Sequence, residues 1–248
     1  MTRRIELAVL PAEALAIDAG AYIVVDQLRA TTNIATLLAA GMDEVLVVDD
    51  IERARSEAKQ RGALLCGEVG GFPPPGFDRG NSPIEAEEAA RQGGTAVLFT
   101  SNGTRALCSL AGRGPTFAGA LVNAGAVSRA ASGYDTVAVV CAGTGYGLRF
   151  SQDDFAAGAE IVRRLAERTG AEPGDAARLA LSAIAGGPPA VEHLVRTSSH
   201  ARGLAAAGFG PDIDYALRVD RWQVVPAVVA CGEGWALLRP GRAHAAAG

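Results

Sequence analysis

The sequence predicts an α/β protein, a three-layer αβα arrangement around a largely parallel or mixed sheet. Three observations carry this. Short apolar, β-branched runs recur at 21–25, 44–48, 63–66, 96–99 and 136–140; each has the length of a buried strand. Helix-length segments separate them, at 34–40, 51–60, 83–91 and 152–168. That alternation implies parallel strands joined by crossover helices on both faces. Finally, 248 residues with 49% hydrophobic and 20% charged side chains can bury a sizeable core. The expected organisation is one α/β domain over 1–248, with two lobes, about 1–118 and 119–248, as the variant.

In chain order, the strand at 21–25 ends in Asp26, and Thr31 or Thr32 is the expected N-cap of the helix that Gly41 closes. A charged helix follows the strand at 44–48 and stops at Gly62. The strand at 63–66 feeds a long loop, 66–83, with five glycines and four prolines. Proline and glycine both oppose regular structure, and ordered loops of this length usually carry function. Ser82, Pro83 and Glu85 then read as the capping box of a helix over 83–91. The strand at 96–99 runs into Ser101-Asn102-Gly103-Thr104 and a helix to about Leu110. A short strand at 116–118, a helix over 122–131 and the strand at 136–140 follow. Cys141 to Gly147 is glycine-rich, and Ser151 caps a helix over 152–168, with Asp154 as a shorter box partner. Short helices are expected from 173 to 217, then a strand at 223–230, where Pro226 marks an edge or bulge, a strand at 235–238, and a frayed tail after Pro240.

Bulk numbers exclude several classes. Net charge −4 and a pI of about 5.5 leave no electrostatic footprint for nucleic acid or an anionic membrane. No run approaches the length of a membrane span, and the start is not a secretory signal. Four separated cysteines without a C-x-x-C pair read as reduced thiols in a cytoplasmic protein. Cys141 reads as buried rather than nucleophilic, because no histidine lies close in sequence. No P-loop is present, and 143–147 is not a full dinucleotide fingerprint. Nothing in the sequence opposes a homo-oligomer.

In parallel sheets, ligands bind beyond the carboxyl ends of the strands. Asp26, Glu68, 101–104 and 141–147 each follow a predicted strand end within two residues, so all are expected on one edge. Asp26, Glu68 and Asp78 are hard oxygen donors suited to Mg²⁺. Asn102, Gly103 and Thr104 open a helix, where backbone N–H groups and the dipole favour an anion. Arg29 adds a forked donor for phosphate or sulfonate. A cation facing an anion site is a common arrangement for phosphoryl transfer. His193 and His200 read as structural, although His200, in T-S-S-H-A-R, is also placed to contact a substrate.

These residues resemble a known family. D-Q-L-R-A-T-T at 26–32, G-E at 67–68, G-F-D-R-G-N-S-P at 76–83 and S-N-G-T at 101–104 are similar to segments of the 2-phosphosulfolactate phosphatases. So are C-A-G-T at 141–144, S-Q-D-D-F-A-A-G at 151–158, S-S-H-A-R-G-L at 198–204 and D-I-D-Y-A-L-R-V-D-R-W-Q-V-V-P at 212–226. The resemblance covers nearly the whole chain, in order. It implies a Mg²⁺-dependent phosphatase of the coenzyme M biosynthesis type, releasing phosphate and 3-sulfolactate from (2R)-2-phospho-3-sulfolactate. With it, Asp26, Glu68 and Asp78 are expected to hold the metal or activate water. Arg29, Asn102, Gly103 and Thr104 are expected to hold the substrate phosphate, Arg79, Asn81 and Ser82 to meet its sulfonate or carboxylate end, and Thr31 to bind substrate as well. Gln27 and Arg79 stand where aliphatic residues are expected, and Ser101 where a threonine is; these departures bear on substrate more than on reaction. D-Q-L lacks the second aspartate of D-x-D phosphatases, which favours direct water attack over an aspartyl-phosphate intermediate at Asp26. Two rivals use the same edge: a non-catalytic sensor of a phosphorylated or sulfonated metabolite, and a phosphatase of another phosphorylated 2-hydroxy acid. A dinucleotide-dependent oxidoreductase is a weaker third.

Overall fold

Side-chain alternation along the central strands sorts the core into two layers, one on each side of a single sheet. In the computed structural model, which describes residues 2–241, this sheet has ten strands. They are β1 (Arg4–Ala8), β2 (Ala21–Val25), β3 (Glu44–Val48), β4 (Leu64–Gly67), β5 (Thr95–Phe99), β6 (Thr116–Gly119), β7 (Thr136–Cys141), β8 (Glu172–Pro173), β9 (Val225–Gly232) and β10 (Trp235–Gly241). Eleven α-helices pack around it: α1 (Pro11–Ala14), α2 (Ala30–Ala40), α3 (Ile51–Arg61), α4 (Pro83–Ala89), α5 (Gly103–Leu110), α6 (Ala124–Ala131), α7 (Gln152–Thr169), α8 (Asp175–Ala183), α9 (Pro188–Thr197), α10 (Ser199–Ala206) and α11 (Gly210–Ala216).

Ala21, Ile23 and Val25 of β2 join Val137 and Val139 of β7 in a cluster with Val127 of α6 and Ile161 of α7. Tyr22 and Val24, pointing the other way, join Ile34 and Leu37 of α2 and Leu107 of α5. A smaller cluster puts Leu46 and Val48 of β3 against Ala54 and Ala58 of α3. This is the three-layer α/β fold that the strand–helix alternation predicts. None of the helices described is long and apolar enough to cross a membrane.

The strand order is β4-β5-β3-β10-β9-β6-β2-β7-β1-β8. β4, β5 and β3 are mutually parallel, as are β6, β2, β7, β1 and β8. The antiparallel β9–β10 hairpin sits between these blocks and pairs antiparallel with β3 on one side and β6 on the other. The sheet is therefore mixed, and the two blocks run oppositely in sheet order. Even so, Asp26 after β2 and Glu68 and Asn102 after β4 and β5 line one cavity.

Several local expectations change. β1 was not expected, because Arg4 and Glu6 make its start read as charged; in a strand they alternate with buried Ile5 and Leu7. α2 begins at Ala30, with Arg29 at the N-cap position, so Thr31 and Thr32 lie inside the helix and are not caps. A 3-10 turn, Leu121–Asn123, precedes α6. Pro226 is tolerated in β9 because that strand meets β6 through one residue pair, Phe117 and Ala227. Pro240 and Gly241 still belong to β10; the expected fraying beyond them falls on residues outside those described.

Candidate active site

Residues at the carboxyl ends of β2, β4 and β5 line a cavity of about 500 Å³ that also takes in α10. Asp26, Arg29, Glu68, Asn81 and Asn102 all lie on its wall, as does Ser101. Gly70, Gly71 and Phe72 form one side, and Ser199, His200 and Leu204 another.

Asp26 is buried where β2 gives way to α2. One carboxylate oxygen accepts the Ala30 N–H at 3.1 Å, and its backbone N–H donates to the Thr31 hydroxyl at 2.9 Å. Gly103 at the start of α5 lies so close that a Cβ there would sit 2.5 Å from Asp26 Oδ2. Burial pushes the Asp26 carboxyl up to about 6; Asp153 and Glu68 add to the rise, while His200 and the Ala30 hydrogen bond oppose it.

Glu68 is held in the loop after β4. Its Oε1 accepts the Ser101 N–H and its Oε2 the Gly71 N–H, both at 2.8 Å. It thus ties β4's loop to the turn before α5. The Thr104 N–H is taken by the Thr100 hydroxyl, which leaves the N–H groups of Asn102 and Gly103, with no acceptor within the helix, to face an anion.

Arg29 is an almost fully buried cation. Its Nη1 pairs with Asp212 Oδ2 at 2.6 Å, its Nη2 donates to the Gly71 carbonyl at 2.8 Å, and its guanidinium stacks 4.3 Å from the centroid of Phe209. Phe209 in turn meets Phe72, centroid to centroid at 5.5 Å. Arg29 therefore clamps the loop onto α11 as well as facing the cavity. The Asn81 carboxamide oxygen accepts from Asn33 Nδ2 at 2.8 Å, which fixes the side chain on the wall.

Other expected site residues lie elsewhere. Asp78 is exposed, accepts the Leu65 N–H at 2.8 Å, and lines a different surface cavity with Arg55 and Lys59. Arg79 beside it donates to the Asp78 carbonyl at 2.7 Å and lines neither cavity. The turn that pins Asp78 to β4 aims it away from Asp26. Thr31 is fully buried, and its hydroxyl donates to the Gly119 carbonyl at 2.7 Å. Thr104 is fully buried too and exchanges hydrogen bonds with Thr100. Ser82 caps α4 and donates to Asp212 Oδ1 at 2.6 Å. Gly103 shapes the wall by close approach and adds no side chain. Gln27 is buried, donating to the Ala216 carbonyl and accepting the Leu121 N–H. Cys141 is buried, and burial pushes its thiol well up, as an inert thiol requires.

Behind the cavity lies an acidic pair, Asp153 and Asp154, of which the sequence assigns a role, helix capping, only to Asp154. Ser151 does cap α7. Yet Asp153 and Asp154 in that first turn are buried. Asp154 accepts the N–H groups of Gln27 at 2.8 Å and Gly143 at 3.0 Å, joining the ends of β2 and β7. Burial raises its carboxyl well above the ordinary value, with Asp153 and Asp26 contributing. Asp153 faces His200 Nδ1 at 3.5 Å. Burial opposes protonation of His200, but Asp153 and Asp26 together outweigh it and raise the imidazole. The sequence signal was the acidic pair in S-Q-D-D at the mouth of an apolar helix.

Among the described residues, no group of three or more His, Cys, Asp or Glu side chains is arranged to hold a metal ion. Asp26, Glu68 and Asp78 are therefore not a three-carboxylate cage. What the cavity wall offers is Asp26 and Glu68, hard donors that repel each other. Mg²⁺ commonly binds through one or two carboxylates, water and substrate phosphate, so this donor set fits it.

The relatives of the chain agree with its motifs. A profile of the 2-phosphosulpholactate phosphatase family matches residues 10–230. A protein of Carboxydothermus hydrogenoformans named probable 2-phosphosulfolactate phosphatase is 38% identical over 207 residues, covering 83% of this chain and 85% of the relative. Proteins with the same name from Deinococcus radiodurans and Thermus thermophilus are 39% and 36% identical, covering 84% and 90% of this chain and 87% and 93% of theirs. With most of its length matched both by the family profile and by these relatives, the chain belongs to the 2-phosphosulpholactate phosphatase family.

Proposed function

We propose that this cavity hydrolyses 2-phosphosulfolactate to 3-sulfolactate and phosphate, and that it does so with Mg²⁺. The observation that carries the reading is the meeting of Asp26 and Glu68 with the start of α5 in one cavity. Family membership supplies the reaction class and the substrate name. The charges on the wall argue for a cation. Asp26 and Glu68 are acidic, Asp153 and Asp154 lie behind them, and the Arg29 charge is already offset by Asp212. A substrate carrying phosphate, sulfonate and carboxylate would be repelled from such a wall unless its charge were neutralised.

Asp26 and Glu68 would hold the Mg²⁺. Bound there, the ion would offset phosphoryl charge and act as a Lewis acid on a phosphoryl oxygen. The protein's own groups do the rest. Backbone N–H groups at Asn102 and Gly103 orient phosphoryl oxygens, as helix starts do. Asn81, held by Asn33, offers its amide to the sulfonate or carboxylate end. Arg29 and Phe209, with Phe72, close one side and exclude water from the bound ester.

Phosphate release from 2-phosphosulfolactate, measured with Mg²⁺ and then with EDTA, tests the proposal. Release that EDTA abolishes and excess Mg²⁺ restores is expected. Binding without release, across a panel of phosphorylated 2-hydroxy acids, would make the protein a sensor.

A further inference from the structure

One pair of residues on the cavity's far side has no part in the reading above. His200, in the first turn of α10, lines the cavity with a third of its side chain exposed. Asp153, in the first turn of α7, is fully buried. Its Oδ1 accepts the Ser151 hydroxyl at 3.0 Å. Among the described residues its Oδ2 has no hydrogen-bond partner, and it faces His200 Nδ1 at 3.5 Å. A buried carboxylate oxygen left unsatisfied is costly, so its aim at an imidazole calls for a reason. With Nδ1 turned to Asp153, Nε2 is the ring nitrogen left for a ligand in the cavity.

The chemistry supplies the reason. The leaving group of a phosphorylated 2-hydroxy acid is a secondary alkoxide, which departs poorly unless protonated. Arg29 does not give up a proton, and Asp26 and Glu68 are assigned to the cation. Among the described residues, His200 is the remaining ionisable group on the wall.

We propose that His200, oriented by Asp153, is the general acid that protonates the bridging ester oxygen as the phosphorus–oxygen bond breaks. This deepens the phosphatase reading and rests on it. The protonated imidazole gives its Nε2 proton to the ester oxygen, which leaves as the hydroxyl of the product acid. The attacking water forms the new bond to phosphorus and keeps both protons, leaving dihydrogen phosphate. That product returns one proton to the imidazole before it departs, so the cycle closes. Asp153 is a positioning residue, since it reaches the substrate only through His200. The charges acting on His200 are Asp153 from α7, Asp26 from the end of β2 and Arg29 at the start of α2, and Glu68 shares the cavity wall. Burial and Arg29 oppose the imidazolium, and Asp153, which is not assigned to the cation, favours it by both hydrogen bond and charge.

Leaving-group dependence separates this role from a structural one. An aryl phosphate, p-nitrophenyl phosphate, needs little protonation of its leaving group, whereas 2-phosphosulfolactate needs it fully. His200→Ala should lower kcat/KM on 2-phosphosulfolactate by on the order of 100-fold or more. Its loss on the aryl ester should be at least about tenfold smaller, because that ester forgoes general-acid assistance. His200→Gln, similar in bulk, should behave alike, and the basic limb of the pH–rate profile should vanish in both. The chain has three histidines, so subtracting the variant spectrum assigns His200 by NMR. Its pKa should coincide with the wild-type basic limb and fall in Asp153→Asn. Equal losses on the two esters, or a basic limb that survives in both variants, would overturn the assignment while leaving the phosphatase reading intact. If the wild type itself releases phosphate from neither ester, the phosphatase reading falls first, and the acid role with it.

Discussion

Gly103→Ala is the smallest change that should damage the site. The added methyl would lie 2.5 Å from both Ala30 Cβ and Asp26 Oδ2, and 2.9 Å from Asp26 Cβ. Contacts below 3.0 Å are essentially never seen for a real Cβ, so the wall must open by at least half an ångström. Ala30 sits in the first turn of α2 and cannot swing aside, and Asp26 is fixed by the Ala30 N–H. The strain therefore falls on the Asp26 carboxylate or on the start of α5. Overpacking of this kind costs about 1–3 kcal/mol, which lowers Tm by about 2–12 °C in a chain of this size. Displacement of a catalytic group approaching 1 Å can cost about 100-fold in rate. The assay is kcat/KM for phosphate release at saturating Mg²⁺, beside a thermal melt. A large rate loss with a modest Tm loss is expected. Wild-type kcat/KM in a folded Gly103→Ala protein would refute the claim that Asp26 and α5 must approach this closely.

Other outcomes follow from the same geometry. Asp26 has a folded pKa of about 6 against an ordinary 3.8, so the fold disfavours its ionised form; that cost is absent below about pH 4, grows as pH rises through the window and is complete above pH 6, at about 3 kcal/mol. Asp26→Asn should therefore be inactive yet more stable than wild type at pH 8 without Mg²⁺, the two denaturation curves converging toward pH 4. A less stable Asp26→Asn at pH 8 would contradict this. Asp78→Asn keeps an oxygen for the Leu65 N–H and lies off the cavity; activity should stay within about threefold, as for surface changes generally, and a hundredfold loss would return Asp78 to the site. Asp212→Asn leaves the buried Arg29 charge unpaired and should cost about 3–5 kcal/mol in urea denaturation; an unchanged midpoint would deny the clamp.

The strand–helix alternation was legible because each buried run is short, continuous and opens within two residues of a Gly or Asp. Asp26, Glu68 and Asn102 were legible for the same reason: each follows a strand end. Asp78 misled because proximity in sequence to Glu68 says nothing about the turn between them, and the hydrogen bond to Leu65 points it the other way. Thr31 and Thr104 are helix-start hydroxyls that satisfy backbone groups, a use that sequence cannot distinguish from ligand binding. Asp153 and His200 come from helices about 45 residues apart, and only packing of α10 beside α7 unites them. The opposed blocks of the sheet were hidden because the β9–β10 hairpin that inverts them comes last in the chain.

The claim that Asp26 and Glu68 form a cation site facing the start of α5 is tested most directly by locating the ion and the anion. Crystals grown with Mn²⁺ in place of Mg²⁺, together with 3-sulfolactate and phosphate, allow an anomalous difference map to do so. The account predicts the anomalous peak between the Asp26 and Glu68 carboxylates, with phosphate oxygens on the N–H groups of Asn102 and Gly103. An ion bound instead at Asp78, or phosphate seated outside the cavity with Asp26 and Glu68 unliganded, would contradict it.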